Sequence, residues 1–174
     1  MPSIHVCALS KIGETVRLSG ARSLVSMIHR TSDVMRPAEI APRRHLFVGV
    51  SDIIAAQDGF VLAGAAHVRD LLDFVRAWDR REPMVIHCFA GVSRSTAAAF
   101  IAACALEFWR DEAEIAGHIR ALSPTATPNP HLVALADAAL ERSGRMVAAV
   151  GAIGRGADCF EGVPFALAFG AVVR

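Results

Sequence analysis

The short segment around Cys88 holds most of the residues whose types and spacing could do chemistry. The apolar pair Val85-Ile86 leads through His87 into Cys88, and Arg94 follows six positions after the cysteine. In a loop between a strand and a helix, backbone N–H groups can converge on one tetrahedral anion, and the helix N-terminus adds partial positive charge. Such surroundings also favour the thiolate, the nucleophilic form of cysteine. The segment therefore predicts an anion-binding loop built around a reactive thiol.

Each polar or small residue of this segment has a place in such a loop. Gly91 permits a backbone turn that a Cβ atom would resist. Arg94 offers a planar fork of donors that matches two oxygens of a phosphate group. Ser95 could donate a hydrogen bond to the sulfur of Cys88. The predicted substrate-binding residues are Phe89, Ala90, Gly91, Val92, Ser93 and Arg94.

The pattern is specific although its parts are not. A cysteine with an arginine six positions later is weak evidence in a chain that contains 17 arginines. Requiring also the histidine before it, the glycine and the hydroxyl residue after Arg94 lowers the chance of coincidence to on the order of one in ten thousand. The competing interpretation, a buried structural cysteine beside a solvated arginine, is the usual one for a single cysteine. Here the combination favours a functional loop.

The segment His87–Ser95 resembles the signature of the cysteine-dependent protein tyrosine phosphatases, which is His-Cys, five residues, Arg, then Ser or Thr. The similarity is to the small dual-specificity-like branch in its bacterial form. In that branch an aspartate ends a strand upstream of the cysteine, and Asp52 stands 36 positions before Cys88. The branch also has an arginine followed by Pro-Asn before a later helix, which Arg120 and Pro128-Asn129 resemble.

The resemblance covers about residues 24–140 and implies a phosphatase that forms a cysteinyl-phosphate intermediate, with no metal or other cofactor. Cys88 would attack phosphorus while Asp52 gives a proton to the leaving oxygen, and Asp52 would then activate water. Arg94 and the loop amides would hold the charged oxygens. Two supporting residues are implied as well: His87 would orient the loop from behind, and Asn129 would brace it.

The identity of the general acid stays open between two aspartates. Asp52 follows the predicted strand His45–Val50, whereas Asp58 lies inside the loop Ile53–Val61. A strand end is a fixed platform, and a general acid must lie within hydrogen-bond reach of its target, so Asp52 is favoured. Asp33 ranks below both. For each aspartate the competing interpretation is a turn residue that caps local backbone.

Three other classes of protein remain possible. A rhodanese-like sulfurtransferase also carries a cysteine on an anion-binding loop, but the five residues enclosed by Cys88 and Arg94 suit phosphate better. An arsenate reductase needs a resolving cysteine, and neither Cys7 in a predicted strand nor Cys104 in a predicted helix suits that role. The third class is a phospho-residue binding module without catalysis. The expected substrate is a phosphorylated protein or a small phosphomonoester, with phosphotyrosine favoured because the loop lacks further cationic residues.

Length and composition indicate the kind of protein that carries this site. The chain has 174 residues, a net charge of +1 and 53% hydrophobic residues. These values predict one domain, residues 1–174, with a substantial core and without the basic surface that nucleic acid would need. The longest uncharged apolar stretch, Thr96–Leu106, is too short to span a bilayer. No secretory signal is evident at the N-terminus, so a cytoplasmic location without membrane attachment is expected.

The hydrophobic pattern predicts the elements that must position the loop. Four apolar runs suit buried strands of a largely parallel sheet, and helical patterns follow each other in the second half of the chain. The expected fold is an α/β three-layer sandwich, phosphatase-like, with a central, mostly parallel sheet of four to five strands flanked by helices. The tail from Gly154 onward has no predicted element. The predicted strands are Ile4–Ala8, Leu24–Ile28, His45–Val50 and Met84–His87, and the predicted helices are Leu62–Trp78, Ser95–Phe108, Asp111–Leu122, His131–Arg142 and Arg145–Ile153.

Overall fold

Five strands and six helices make up the fold, which a computed structural model describes for residues 2–170. The strands are β1 (Ser3–Ala8), β2 (Ser23–Met27), β3 (His45–Val48), β4 (Met84–Cys88) and β5 (Phe165–Ala168). The helices are α1 (Ile12–Ser19), α2 (Ala65–Ala77), α3 (Arg94–Leu106), α4 (Glu112–Leu122), α5 (Pro130–Ala139) and α6 (Arg145–Ile153). The predicted α/β class with a mostly parallel sheet is confirmed.

The strands form one sheet in the order β3-β2-β4-β1-β5. The first four are parallel to their neighbours, and β5 runs antiparallel to β1 along one edge. Strand β4 lies in the centre and is buried along its whole length, which explains its unbroken apolar run. Its last residue, Cys88, lies opposite Ala8 of β1 at the carboxyl edge of the parallel strands. In open α/β sheets this edge is where ligands bind.

Helices cover both faces of the sheet and complete the three layers. On one face, Ile12 and Val16 of α1 pack with Leu24 and Val85 of the sheet. The other face carries the larger core, to which α2 through α6 contribute. Helix α3, which follows the loop, is almost entirely buried. Its alanine content lets sheet and neighbouring helices approach it closely, which also explains why it shows no amphipathic stripe.

Strand β3 ends two residues before the predicted boundary at Val50. The amide of Val50 bonds to the carbonyl oxygen of Val48 at 3.0 Å, which turns the chain out of the ladder. The carbonyl group of Val50 is thereby free to accept from Arg94 at 2.9 Å. The early end of β3 therefore leaves the Val50 carbonyl group available to hold Arg94, which ends the predicted loop.

Helix α5 also ends earlier than predicted, at Ala139 instead of Arg142. Glu141 has a φ of 54°, which breaks the helix. The turn directs Arg142 into the core, where its guanidinium donates to Glu112 at 2.9 Å and to the carbonyl oxygen of Cys104 at 2.7 Å. A buried ion pair therefore takes the place of the last helical turn.

Two elements were not predicted. Helix α1 has eight residues, of which only Ile12, Thr15 and Val16 are buried, too few for a clear period. Strand β5 has four residues with alternating burial and lies in the tail that had no predicted element. Within residues 2–170, no helix is both long and apolar enough to cross a membrane.

Candidate active site

The loop between β4 and α3 has the geometry of a tight anion cradle against β1. Gly91 has a φ of +73°, in the left-handed region that favours glycine. A Cβ atom at this position would lie 2.7 Å from the backbone nitrogen of Ala8 and 2.8 Å from the carbonyl carbon of Cys7. Glycine is therefore required here for both conformation and space, as the sequence suggested.

The sulfur of Cys88 is almost completely buried and lies among hydrogen-bond donors. The amide of Gly91 donates to Sγ at 3.3 Å, and Oγ of Ser95 lies 3.1 Å from the same sulfur. Cys88 is 1% exposed and Ser95 is fully buried. Donors at this distance stabilise negative charge on sulfur, because a charge-assisted hydrogen bond is stronger than a neutral one.

The carbonyl groups of the loop are held from outside by other segments. Phe89 accepts from the amide of Leu9 at 3.1 Å, Val92 from Thr127 at 2.9 Å, and Ser93 from Asn129 at 3.3 Å. In a trans peptide the C=O and the following N–H point to opposite sides. Carbonyl groups fixed outward therefore turn the next amides, those of residues 90, 93 and 94, toward the inside of the loop, where an anion can accept from them.

Arg94 is buried at the first turn of α3. One nitrogen of its guanidinium group is hydrogen-bonded to the protein and another is not. Its Nη1 donates to the carbonyl oxygen of Val50 at 2.9 Å. Its Nε is buried and has no hydrogen-bond partner within the residues that the structure describes. A buried donor without a partner is costly, so its presence points to a ligand that accepts from it. The Nε–Nη2 edge of a guanidinium is the edge that pairs with two oxygens of one phosphate.

Asp52 lies beside this loop and is held by two side chains. Its Oδ1 accepts from Oγ of Ser93 at 2.7 Å and from Nδ2 of Asn129 at 2.9 Å. Asn129 also begins α5, because its Oδ1 accepts from the amides of His131 and Leu132, each at 3.1 Å. One asparagine therefore connects the Asp52 carboxylate, the loop and a helix N-terminus.

A cavity of about 270 Å³ opens between Asp52 and Arg94. Sequence reasoning missed the five other residues that line it, which include His29 after β2 and Phe60 in the loop before α2. Phe60 is 56% exposed, so its ring is available to a ligand. The only sequence signal for Phe60 was an aromatic residue in a predicted loop near the candidate acids, and His29 gave none.

The other two aspartates lie apart from these contacts. Asp58 and Asp33 are exposed. Within residues 2–170, neither forms a side-chain hydrogen bond or a salt bridge, whereas Asp52 contacts both Ser93 and Asn129. The structure thus brings Asp52, not Asp58 or Asp33, into contact with the loop.

His87 lies behind the loop and starts a chain of polar side chains. Its Nδ1 lies 3.2 Å from the carbonyl oxygen of Cys88, and its Nε2 lies 2.7 Å from Oγ of Ser26. Because the carbonyl oxygen only accepts, Nδ1 carries the proton and Nε2 accepts from the Ser26 hydroxyl. Ser26 in turn accepts from Nε2 of His45 at 2.8 Å. His45 thus belongs to this chain, a role that its position in the sequence did not indicate.

Burial lowers the pKa of His87 from 6.5 to about 4; the hydrogen bond to Cys88 opposes this shift, and His45 and Arg94 add to it. The folded protein therefore holds a neutral ring where the unfolded chain would bind a proton. The stability this provides is present above pH 6.5 and is lost as the pH falls toward 4. We expect the free energy of unfolding to fall by about 2 kcal/mol between pH 7.5 and 5 from this residue alone.

Urea unfolding of His87→Asn at both pH values checks this expectation. The Asn amide can donate to the Cys88 carbonyl in place of Nδ1, and it does not titrate. The variant should lose about 2 kcal/mol of the pH dependence. An equal pH dependence in variant and wild type would contradict the assignment of a neutral, buried His87.

Comparisons with known proteins agree with this site. Residues 57–123 match the family model for protein-tyrosine phosphatase. The fold is similar to human DUSP28, with a TM-score of 0.63 and 20% identity over 82% of this chain and 94% of that chain. It is also similar to the Cydia pomonella PTP-2 phosphatase, with a TM-score of 0.61 and 22% identity over 78% of this chain and 84% of that chain.

A third similar structure is DUSP15, with a TM-score of 0.63 and 17% identity over 88% of this chain and 91% of that chain. A search of curated proteins gives no significant match. The family match includes the loop from Cys88 to Arg94, and the fold resembles that of the dual-specificity phosphatases.

Proposed function

We propose that the protein hydrolyses phosphotyrosine in proteins through a cysteinyl-phosphate intermediate. The Cys88 thiolate attacks phosphorus in line, so that the S–P bond forms as the P–O bond to tyrosine breaks. Asp52 gives its proton to the leaving phenolic oxygen. In the second step the ionised Asp52 takes a proton from water, the resulting hydroxide attacks phosphorus, and phosphate leaves with the Cys88 thiolate restored.

One observation carries the proposal. The buried, unpartnered Nε of Arg94 adjoins a loop whose Gly91 amide already donates to the Cys88 sulfur. A thiolate stabilised by donors, next to donors that lack an acceptor, is what transfer of a phosphoryl group to sulfur requires. Ser95 supports the second step, because its hydroxyl lies 3.1 Å from the sulfur that must leave as an anion.

The contacts of Asp52 suit a general acid. Both donors, Ser93 and Asn129, bond to Oδ1, and within residues 2–170 no hydrogen bond reaches Oδ2. The proton to be transferred is therefore assigned to Oδ2, while Oδ1 keeps the carboxyl group in place. Asp52 lines the same cavity as Arg94, which supports a position of Oδ2 near the leaving oxygen of a bound phosphoryl group.

The cavity supports an aromatic substrate. Phe60 and Arg94 line it together, which puts an apolar ring and a phosphate-binding cation in one opening. Phe89, the first residue after the nucleophile, is also exposed and apolar. An aryl phosphate presents the same combination of ring and anion. Phosphotyrosine is therefore preferred over phosphoserine or phosphothreonine, although dual specificity is compatible with the site.

An arsenate reductase on this scaffold is disfavoured by the other thiols. Burial raises the pKa of Cys7 to about 12 and that of Cys104 to about 12. Such thiols stay protonated at neutral pH and are poor nucleophiles for resolving a modified Cys88. The anchored fork of Arg94 and the contacts of Asp52 likewise favour catalysis over passive binding of a phosphorylated residue.

We further propose that the enzyme works in the reducing cytoplasm. All four cysteines are free thiols. The mechanism requires Cys88 to remain reduced, and cytoplasmic glutathione and thioredoxin keep thiols in that state.

Initial rates on matched phosphotyrosine and phosphothreonine peptides test the proposal most directly. We expect release of phosphate from both an aryl phosphate and the phosphotyrosine peptide, at undiminished rate in a metal chelator, with the phosphothreonine peptide slower. Thiosulfate and arsenate assays run in parallel distinguish a sulfurtransferase or a reductase. Phosphate binding without turnover of any substrate would identify a non-catalytic module and reject the proposal.

The role of Asp52 predicts a dependence on the leaving group. Asp52→Asn keeps the side-chain shape but has no proton to give. On substrates with poor leaving groups we expect kcat to fall on the order of a hundredfold and the alkaline limb of the bell-shaped pH profile to disappear. With good leaving groups the rate of the first step should fall far less, because these groups need little proton assistance. Rates on a series of aryl phosphates check this pattern.

Asp58→Asn is the matched control in the same loop. It should leave both the leaving-group series and the pH profile nearly intact, because Asp58 makes no contact with the nucleophile loop. If Asp58→Asn produces the leaving-group dependence and Asp52→Asn does not, the assignment of the acid is reversed while the phosphatase reaction stands.

A further inference from the structure

The tail that follows α6, residues 154–164, passes along the outside of the nucleophile loop. It begins where Nη2 of Arg120 donates to the carbonyl oxygen of Gly154 at 2.9 Å, and it ends where β5 joins the sheet beside β1. Between these points the amide of Gly162 donates to the carbonyl oxygen of Ala90 at 2.8 Å. The segment lies outside the family match, residues 57–123. It is therefore a feature of this chain that the match does not describe.

The bond from Gly162 adds a fourth outward-held carbonyl group, that of Ala90, to the loop. Leu9, Thr127 and Asn129 hold three others, and Ala90 would be unanchored without the tail. Because the peptide is trans, a carbonyl group of Ala90 fixed outward holds the next amide, that of Gly91, inward. This is the amide that donates to the Cys88 sulfur at 3.3 Å. The hydrogen bond from Gly162 therefore affects the Cys88 sulfur through one intervening peptide group, Ala90–Gly91.

The contact is tight at Gly162, so a side chain there would force the loop to give by a few tenths of an ångström. A Cβ atom at Gly162 would lie 3.1 Å from the carbonyl oxygen of Gly91 and 3.3 Å from Cγ2 of Val92. The neighbouring Glu161 fixes the segment a second time, since its Oε2 accepts from Oγ of Ser10 at 2.7 Å. Two anchors on adjacent residues set the position of the Gly162 amide with respect to the loop.

We propose that Gly162 is a positioning residue for catalysis, which fixes the Ala90–Gly91 peptide plane and thereby the hydrogen bond that stabilises the Cys88 thiolate. The proposal deepens the proposed phosphatase function and rests on it for the effect on turnover. Its effect on the thiol itself does not depend on which substrate the enzyme uses.

Gly162→Ala tests the proposal, because the added methyl group would crowd Gly91 and Val92 and displace the tail from the loop by a few tenths of an ångström. The first readout is the rate of Cys88 alkylation by iodoacetamide at pH 6 relative to pH 9, followed at the Cys88 peptide by mass spectrometry. We expect this ratio to fall by up to about fivefold, the factor for one ordinary hydrogen bond. The second readout is kcat on an aryl phosphate, which should fall about tenfold, less than the loss of a whole transition-state donor.

Controls separate positioning from general damage. Val163→Ala alters the next residue, whose side chain is 80% exposed, and should change neither readout. Ser10→Ala removes only the anchor on Glu161 and should shift both readouts in the same direction by a smaller factor. Glu161→Gln keeps an acceptor for Ser10 but removes the charge, so it shows whether the carboxylate acts on the thiol by charge alone.

The outcomes are distinct. A folded Gly162→Ala variant with the wild-type alkylation ratio overturns the proposal, and if that variant does not fold, an unchanged ratio in Ser10→Ala overturns it instead. If the wild type turns over no phosphomonoester but the alkylation ratio still falls in Gly162→Ala, the positioning role stands and the proposed function fails. If the wild type is active and neither variant alters the ratio, only the positioning role fails.

Discussion

Cys88→Ser should abolish turnover of an aryl phosphate while leaving the oxyanion site intact. Serine places a hydroxyl where the thiolate stood, and the hydroxyl is protonated at neutral pH, so the two-step route through a covalent intermediate is closed. We expect kcat to fall at least about a thousandfold, as for other enzymes that lose their nucleophile. Phosphate release is measured over hours with an excess of the variant over any contaminating wild-type enzyme, and this sets the upper limit on the residual kcat.

Binding is the second half of this prediction. Arg94 and the amides of the loop remain in Cys88→Ser, so inorganic phosphate should bind at least as tightly as to the wild type, measured by calorimetry. Cys159→Ser, which alters an exposed thiol, serves as the matched control and should keep full activity. Undiminished turnover in Cys88→Ser would show that Cys88 is not the nucleophile.

The loop could be predicted from the sequence because its chemistry is local. Cys88, Gly91, Arg94 and Ser95 lie within eight consecutive residues, and each type has a separate physical reason to be there. The central strand and the following helix were equally clear, since full burial of β4 gives an unbroken apolar run. These features can be predicted without knowing which distant segments pack against them.

The contacts that complete the site could not be predicted in the same way. Leu9, Thr127 and Gly162 act through backbone amides, and any residue type except proline offers that donor. His45 and Ser26 are joined to His87 only because β2 lies between β3 and β4, an order that becomes visible in the folded sheet. Asp52 was favoured over Asp58 because it follows a strand, and its contacts with Ser93 and Asn129, which the sequence did not reveal, support that proposal.

The short elements were missed for a related reason. Strand β5 holds only four residues and pairs on one side, with β1, so its burial alternates and its pattern is weak. Its pairing depends on a long-range contact across the chain. The tail before it gains its position from that strand and from Arg120, which explains why its composition alone indicated no element.

Arg94→Lys should be severely damaging although the positive charge is retained. The guanidinium does two things at once: Nη1 donates to the carbonyl oxygen of Val50 at 2.9 Å, and the unpartnered Nε lies on the edge that can pair with two phosphoryl oxygens. The ammonium of lysine has a single nitrogen, so it cannot both hold the Val50 carbonyl and offer a planar fork to the phosphoryl group.

We therefore expect kcat for Arg94→Lys to fall on the order of a hundredfold or more, because the donors meet the charged oxygens most strongly in the transition state. Steady-state kinetics on an aryl phosphate measure the loss, and thermal unfolding shows whether lysine keeps the Val50 contact or loses it at a cost in stability. A variant with near wild-type kcat but a lowered Tm would mean that Arg94 serves the fold through Val50 and that the loop amides alone stabilise the transferring phosphoryl group. A low kcat at an unchanged Tm is the result that the geometry predicts, since the Val50 contact can be kept by lysine only at the expense of the fork.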